Sequence, residues 1–188
     1  MKKTISLLLA LILVMACALS ASASVAQSSY VFCYVIDITG DKFEVMTDDE
    51  VPLIFTRGAS MSIMPQGASM KIDDAVVVQY IGTIQTETEQ QSVQVAEVTV
   101  LTTLYGTVED AANATISVRV MGDDGSDGPL YLFDRENADI YVGEAGILIG
   151  DEVEVAFRGT KAELVPDQLQ TVGYTHITVY GQVEDTME

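Results

Sequence analysis

The chain consists largely of short segments in which apolar and polar side chains alternate, the pattern of a half-buried β-strand. Within 42–46, for example, Phe43 and Val45 share one face. Gly, Asp and Asn residues separate the segments, and helical periodicity is nearly absent. The pattern predicts strands at 30–38, 42–46, 52–56, 75–81 and 93–101, and again at 104–108, 115–121, 129–133, 153–157 and 174–183.

The second set of strands repeats the first in sequence as well as in order. Residues 72–83, IDDAVVVQYIGT, return as residues 149–160, IGDEVEVAFRGT, with six of the twelve positions identical. The match runs back without a gap to Pro52 and Pro129. We therefore predict two tandem domains, at 30–101 and 102–188, preceded by a leader at 1–23.

Five strands per unit, with an irregular piece between the third and the fourth, predict an all-β protein of two small OB-like barrels. An OB-fold is a five-stranded, partly open barrel, and a short helix commonly occupies that irregular position. Because alternation alone does not fix topology, SH3-like barrels or small β-sandwiches are the alternatives. Residues 93–108 run from one unit into the next without a Gly/Ser/Pro linker, so we expect little hinge freedom between the units.

A glycine-aspartate turn before the fourth strand carries a resemblance to a known type of domain. It is IGDEVEV at 149–155, with the weaker copy IDDAVVV at 72–78. With the strand pattern of 30–183, it resembles the short secreted bacterial OB-like domains of unknown function. The resemblance implies the fold and an extracytoplasmic setting, and it carries over no catalytic residue.

The N-terminus has the order of a secretory signal peptide. Lys2 and Lys3 precede an apolar run at 5–19, and Ala-Ser-Ala at 21–23 is a small-residue site for cleavage after Ala23. The alternative is lipidation of Cys17, since VMAC at 14–17 is similar to a lipobox. We expect a secreted or extracellular protein, or one anchored by lipid to the cell membrane, with no spanning segment after residue 24.

Removal of 1–23 leaves seven basic against 28 acidic residues, a net charge of −21. Because phosphate backbones are bound mainly by Lys and Arg, this acidic surface excludes nucleic acid as a partner. It favours an unidentified protein, a cationic peptide or a cation. Loops 39–41 and 85–92, with 109–113 and 161–173, occupy the positions where OB-folds usually bind ligands.

Two acidic turns are candidate calcium sites, because hard cations prefer oxygen ligands. Asp123, Asp124 and Asp127 lie in one turn, and Asp48 and Asp49 occupy the equivalent turn of the first copy. The spacing does not match an EF-hand, and Asp-Gly is also a common hairpin turn. We expect no cofactor, with Ca²⁺ as the alternative.

The remaining reactive residue types predict packing rather than chemistry. We expect Cys33 to be a buried structural thiol, and Met61, Met64 and Met70 to fill the core. His176, the single histidine, has no partners in sequence for a zinc site or a catalytic triad. The function predicted is non-catalytic binding or scaffolding outside a bacterial cell. A calcium-dependent module and, after it, a carboxylate-based hydrolase are the alternatives. Tyr131, Tyr141 and Tyr174 are the candidates for a sugar-stacking platform, since the chain has no tryptophan.

Overall fold

The computed structural model describes residues 28–111, 114–122, 126–142 and 146–181, and it is all-β. The strands are β1 (Ser28–Thr39), β2 (Lys42–Met46), β3 (Pro52–Thr56), β4 (Ser62–Met64), β5 (Ala75–Ile81), β6 (Gln94–Val100), β7 (Thr102–Asp110), β8 (Thr115–Met121), β9 (Asp127–Asp134), β10 (Asp139–Tyr141), β11 (Glu152–Phe157) and β12 (Thr175–Gly181). A short 3-10 helix occupies Lys161–Glu163. Within these ranges no helix is long and apolar enough to cross a bilayer.

The strands form two tandem β-domains, each with one sheet. The first sheet has the order β3-β2-β1-β5-β6-β4, and the second has the order β10-β12-β11-β7-β8-β9. The long strand β1 of the first unit pairs with two other strands. Its first half pairs with β5 and its second half with β2, and the pairing with β2 has a register shift between Val35 and Asp37. Such irregularities bend a strand, which curls the sheet toward a barrel.

Each unit has six strands among its described residues, so the prediction of five was wrong by one. The extra strands are β4 and β10, which pair in parallel with β6 and β12. They occupy the irregular segments where a short helix was the expectation. Pro65 follows β4 directly, and the residue before a proline is disfavoured in the α region. An extended segment there also supplies hydrogen-bond partners to one edge of β6.

The curled sheets are closed by a bridge between the third strand and the loop before the last strand. The Ile54 amide donates to the carbonyl oxygen of Glu89 at 2.7 Å, and the Gln91 amide donates to that of Ile54 at 2.9 Å. In the second unit, the Gln170 amide donates to the carbonyl oxygen of Leu132 at 2.7 Å. The pairing is that of a partly open five-stranded barrel, with one short strand added, and both units resemble OB-fold domains in this respect.

A buried glutamine holds each closing loop in shape. Gln91, which is 4 % exposed, donates to the carbonyl oxygens of Gln85 and Thr88 and accepts from the Gln85 amide. Gln170, which is 8 % exposed, accepts from the Val165 amide and donates to the Val165 carbonyl oxygen. Because a buried amide must be paired, each glutamine selects one conformation of its loop.

The turn before the fourth strand of each barrel is also the same in the two units. Asp74 accepts from the Lys71 amide at 2.7 Å, and Asp151 accepts from the Leu148 amide at 2.7 Å. These are the aspartates of the repeated sequence motif. The duplication therefore extends to individual hydrogen bonds.

Each barrel has its own apolar core, filled by the residues that alternate along its strands. The first core contains Cys33, Val35, Phe43, Val45, Leu53, Phe55, Met70, Val76, Val78, Val95 and Val98. The second contains Leu104, Val108, Ile116, Val118, Phe133, Val153, Val155, Phe157, Leu164 and Ile177.

A third apolar cluster joins the two units. It consists of Phe32, Ala75, Val77, Leu101 and Ala156, with Tyr34 and Tyr174 packed against it. Most of these side chains lie on the outer faces of β1 and β5 in the first unit and of β11 in the second, whereas Leu101 lies between β6 and β7 and Tyr174 directly precedes β12. The outer faces of the two sheets are therefore packed against each other.

This interface also buries a carboxylate. Glu154 points out of its barrel, as the alternation predicts, but it is only 3 % exposed because the first unit covers it. Its Oε2 accepts from the Tyr180 hydroxyl at 2.9 Å and from the Tyr34 hydroxyl at 3.2 Å. Burial, together with the nearby Glu154 charge, raises the pKa of Tyr180 to about 12. Burial likewise raises the pKa of Tyr34.

Alkaline pH should destabilise this interface. An unperturbed tyrosine has a pKa of about 10, so between pH 10 and 12 the folded protein retains a Tyr180 proton that the unfolded chain has lost. The stabilisation is complete below about pH 10 and is lost as the pH rises through about 12. Thermal melts should show a smaller loss of Tm over this range in Tyr180→Phe than in the wild type. Tyr131→Phe, which alters a tyrosine packed against the second core, is the control; identical slopes in Tyr180→Phe and wild type would contradict the assignment.

A side chain at Gly106 should lower the stability of the second unit for steric reasons. A Cβ at this position would fall on the carbonyl oxygen of Arg119 in the adjacent strand and on the Val118 side chain. We expect Gly106→Ala to lower the free energy of unfolding by about 1–3 kcal/mol, as overpacked sites do. Gly58→Ala, where a Cβ meets no atom within 4 Å, should change it by less than about 0.5 kcal/mol. Urea melts of both variants measure the difference, and equal stability would show that β7 and β8 can separate without cost.

Candidate functional site

The candidate calcium residues do not come together as one site. Asp48 and Asp49 lie in the turn between β2 and β3, whereas Asp127 begins β9 and lines a separate cleft beside Glu109 and Arg119. Asp123 and Asp124 lie outside the described residues, as do Cys17 and Ala23. In the part of the chain that the structure describes, no group of three His, Cys, Asp or Glu residues is arranged to hold a metal ion.

Asp48 and Asp49 instead open onto a cleft of about 470 Å³ between the two units. Its floor is apolar and is formed by Val31, Val51, Leu53, Ile84 and Ile140. Its aromatic residues are Tyr30, Phe32, Tyr80 and Tyr141. Its charged and titratable residues are Asp48, Asp49, Asp139 and His176. The volume lies within the range of small-molecule and side-chain binding pockets.

The acidic turn on the first unit is fixed by local hydrogen bonds. The Thr47 hydroxyl accepts from the Val51 amide at 3.1 Å, and the Thr47 carbonyl oxygen accepts from the Glu50 amide at 3.0 Å. Glu50 has a positive φ of 58°, which closes the turn. The loop between β2 and β3 therefore presents Asp48 and Asp49 from a defined backbone.

The second unit supplies the opposite wall through β10. Alternate residues of a strand share a face, so Asp139 and Tyr141 lie together on one face, and Ile140, which packs against the second core, also lines the cleft. The Tyr141 hydroxyl donates across the cleft to Asp49 Oδ1 at 3.2 Å. The Tyr174 hydroxyl donates to Asp139 Oδ2 at 3.0 Å. Burial and then the Asp139 carboxylate raise the pKa of Tyr174, which remains a neutral donor.

His176 lies at the base of this cleft and is 3 % exposed. Its ring stacks on Phe32 of the other unit, with centroids 3.6 Å apart and planes 12° apart. Its Nε2 is 2.9 Å from Asp48 Oδ2, and its Nδ1 is 3.3 Å from Asp139 Oδ2.

Both ring nitrogens are buried, and each faces a carboxylate oxygen at ion-pair distance, although neither contact meets the geometry of a hydrogen bond. An imidazole N–H is attracted to a carboxylate, and protonation of the ring gives both nitrogens such an N–H. His176 therefore links a carboxylate of the first unit to a carboxylate of the second at the base of the cleft.

His176 is the one basic side chain beside the carboxylates of the cleft among the described residues. Among the described residues, the arginine ion pairs are Arg119 with Glu109 and Arg158 with Glu97. No described lysine or arginine lines the cleft or forms an ion pair with Asp48, Asp49 or Asp139. The electrostatic potential in the cleft is consequently negative, and this charge stands between apolar walls that reduce screening.

A second cleft, of about 330 Å³, lies on the other side of Tyr30 and has a different character. Arg158 of the second unit pairs with Glu97 of the first at 2.9 Å and donates to Thr99 Oγ1 at 2.8 Å. Tyr174 forms another part of its wall. This cleft contains its own cation, so we identify the acidic cleft as the candidate site.

The other residues singled out by sequence have packing roles. Cys33 is fully buried, and burial raises the pKa of its thiol, which confirms a structural thiol. Met70 lies in the first core and Met61 packs against it, but Met64 is 36 % exposed on β4, so the prediction that it fills the core was wrong. Tyr141 and Tyr174 line different clefts, so they do not form one platform for a sugar.

The candidate cleft lies apart from most of the surface predicted to bind a ligand. That surface was the loops at 39–41, 85–92, 109–113 and 161–173, whereas the cleft lies between the units and takes only Thr86 from them. His176, for which the sequence offered no zinc or triad partners, is buried at the interface between the units. The acidic turn at Asp48 and Asp49 was the one sequence signal that pointed to the candidate cleft.

Comparisons with known proteins do not assign a family or an activity. No protein-family model and no curated protein matches the chain. Among solved structures, it is similar to a Drosophila chain described as Unr CSD456, at 11 % identity and a TM-score of 0.30. The match covers 86 % of this chain and 65 % of that chain. At this identity and TM-score the likeness supports no conclusion about fold or function, and the architecture follows from the strand pairing alone.

Proposed function

We propose that the protein is exported from a bacterial cell and binds a cationic protein or peptide without catalysing a reaction. The observation that carries this proposal is the cleft between the units, in which Asp48, Asp49 and Asp139 converge without a described lysine or arginine to neutralise them. Two units supply these carboxylates, so the site exists only in the paired arrangement. That dependence gives the duplication a functional role.

The charge of the whole chain supports the same class of partner. The formal net charge is −19, and it becomes −21 without residues 1–23. A strongly negative surface raises the association rate of cationic partners and lowers that of anionic ones. Two unit charges 4 Å apart attract by about 1 kcal/mol in water and by several times more near a low-dielectric wall. The partly apolar cleft is a place where such attraction is strengthened.

Export is supported by the N-terminal sequence. The lysines at positions 2 and 3, the apolar run and the small-residue site before residue 24 have the order of a signal peptide. Lipidation at Cys17 is the alternative, which would hold the same binding units at the membrane surface. Mass spectrometry of the mature protein distinguishes an N-terminus at Ser24 from a lipidated Cys17.

The binding proposal is tested by charge neutralisation confined to the cleft. Residues 24–188, immobilised in wild-type form, should retain cationic proteins from the envelope and medium of the producing cell. Retention should fall as salt rises, because screening shortens the range of the attraction to about 10 Å at 0.1 M. The triple variant Asp48→Asn, Asp49→Asn, Asp139→Asn should retain at least about tenfold less, the equivalent of 1.4 kcal/mol.

A second triple variant, Asp41→Asn, Glu136→Gln, Glu152→Gln, is the matched control, since it removes the same charge from exposed positions outside the cleft. It should retain proteins as the wild type does. Equal retention by both variants would assign binding to net charge alone and refute the cleft.

Calcium binding is the alternative outcome of the same experiment. A ligand that binds only the folded state raises its Tm. The protein is a calcium module if Ca²⁺ raises the Tm of the wild type, EDTA reverses this rise, and the cleft triple variant shows no rise. The wild type would in addition retain no protein partner. In that case the binding proposal is wrong.

A further inference from the structure

The first half of β1 has an open edge beside the acidic cleft, and we propose that an extended cationic peptide binds there as an additional strand. This binding mode rests on the proposed function and specifies how the partner is held. Main-chain hydrogen bonds to β1 would supply the contact, and the charge beside the edge would select the partner.

The edge is open because β2 accompanies only half of β1. β5 pairs with β1 along 28–34, whereas β2 pairs with it only from Tyr34 onward. β2 ends at Met46, where the chain turns toward β3. Along 28–33, no described strand therefore lies on the β2 side of β1. At about 3.4 Å per residue, this edge is roughly 20 Å long.

The hydrogen bonds of Val35 show which main-chain groups point to the open side. The Val35 amide donates to the Asp74 carbonyl oxygen at 3.0 Å, and the Val35 carbonyl oxygen accepts from the Asp73 amide at 2.8 Å, so both groups face the β5 side. Successive residues of a strand direct these groups to opposite sides, and the pairing with β5 has no register shift. The amides and carbonyl oxygens of Tyr30 and Phe32 therefore point to the open side.

This edge is accessible from the acidic cleft. Tyr30, Val31 and Phe32 line the cleft, and Tyr30 is 66 % exposed. The Phe32 ring stacks on His176 through the outer face of the sheet. Side chains stand perpendicular to a sheet, so this contact leaves the edge itself uncovered. An unpaired strand edge is a template for another strand.

The opposite wall of the cleft is also formed by an edge strand. β10 is the last strand in the order of the second sheet, and β12 is its neighbour. All three of its residues, Asp139–Tyr141, line the cleft. A peptide in the cleft would therefore lie between a strand edge of each unit, and the line that it occupies continues that of β2.

The charge beside the edge favours a cationic peptide over a second copy of this chain. Asp48 and Asp49 lie in the turn where β2 ends, and Asp139 lies on the opposite wall. His176 carries at most one positive charge against these three carboxylates, so the cleft remains negative even when the ring is protonated. A second copy would bring its own strongly negative charge to this place, whereas lysine or arginine side chains are attracted to it.

The test is a peptide titration read by amide hydrogen exchange in NMR. Acetyl-Val-Lys-Val-Lys-Val-amide is added to isotopically labelled residues 24–188 at about 0.15 M salt. Binding should slow exchange of the Tyr30 and Phe32 amides at least about tenfold, because they become hydrogen-bonded. The Val31 and Cys33 amides, which point to β5, should change by less than about twofold and are the internal control.

Modified peptides separate main-chain pairing from charge. The same peptide with every amide N-methylated keeps both lysines but has no N–H to donate, and it should bind at least about tenfold more weakly, the equivalent of 1.4 kcal/mol. The peptide with glutamate in place of both lysines should not bind, because the cleft repels it.

A matched pair of variants tests the edge from the side of the protein. Tyr30→Pro and Tyr30→Ala both remove the exposed ring, but only Tyr30→Pro removes the amide on the open side. Proline is tolerated on a strand edge whose N–H does not pair within the sheet. Tyr30→Pro should therefore bind the lysine peptide several-fold more weakly than Tyr30→Ala. Thermal melts check the folding of both, and the exchange measurement on the wild type decides if either is unfolded.

Three results would overturn this binding mode. They are unchanged exchange of the Tyr30 and Phe32 amides, equal binding of the N-methylated peptide, and protection without peptide that rises with protein concentration. The last would show that a second copy occupies the edge. Any of them leaves the proposed function intact, provided that the cleft triple variant still loses its cationic partners. Failure of wild-type retention would refute the proposed function itself.

Discussion

The structure depends on the packing of one sheet face against another. The outer face of β1 and β5 covers the outer face of β11 and β12, with Phe32 stacked on His176 at its centre. Strands in this layer are buried on both sides, and each unit alone would expose these apolar residues to water. Burial of apolar surface is worth roughly 25 cal/mol per Å², so separating the units is costly. The clefts beside this contact are consequently fixed parts of the molecule.

Polar groups inside the interface make the relative orientation of the units specific. Glu154 accepts hydrogen bonds from tyrosines of both units, and Arg158 pairs with Glu97 across the boundary. A buried carboxylate that loses its donors is heavily penalised, so a rotated arrangement that preserved the apolar contact would still be unfavourable. Apolar burial therefore supplies the attraction between the units, and these pairs select one geometry.

Within each unit, duplication has preserved the polar contacts that close the barrel rather than the surface side chains. Gln91 and Gln170 hold equivalent loops, and Asp74 and Asp151 hold equivalent turns. The acidic cleft breaks this symmetry, because the first unit contributes a turn and the second contributes a short strand and a histidine. A site of this kind requires two copies in contact, since neither copy contains all of its residues.

The sequence by itself determined ten of the twelve strands among the described residues, the faces of these strands that fill the barrels, and the tandem repeat. The bounds of β2, β3, β5 and β8 follow directly from alternation, because one-sided burial imposes a period of two on the side chains. The acidic turn at Asp48 and Asp49 marked part of the candidate site.

Only the tertiary structure decided how the outer faces of the two sheets meet. This contact buries His176 and Glu154 and fixes the position of the cleft. In β12 the buried run is Thr-His-Ile-Thr, whose polar residues carry no apolar signal for contact with another sheet. The strands β4 and β10 were not predicted either, because three residues are too few to show an alternation of apolar and polar positions. The alternation of apolar and polar residues shows only that one face of a strand packs against the core of its own unit. Whether the opposite face meets water or a second domain depends on contacts between residues more than a hundred positions apart, such as Tyr34 with Glu154, which no local pattern encodes.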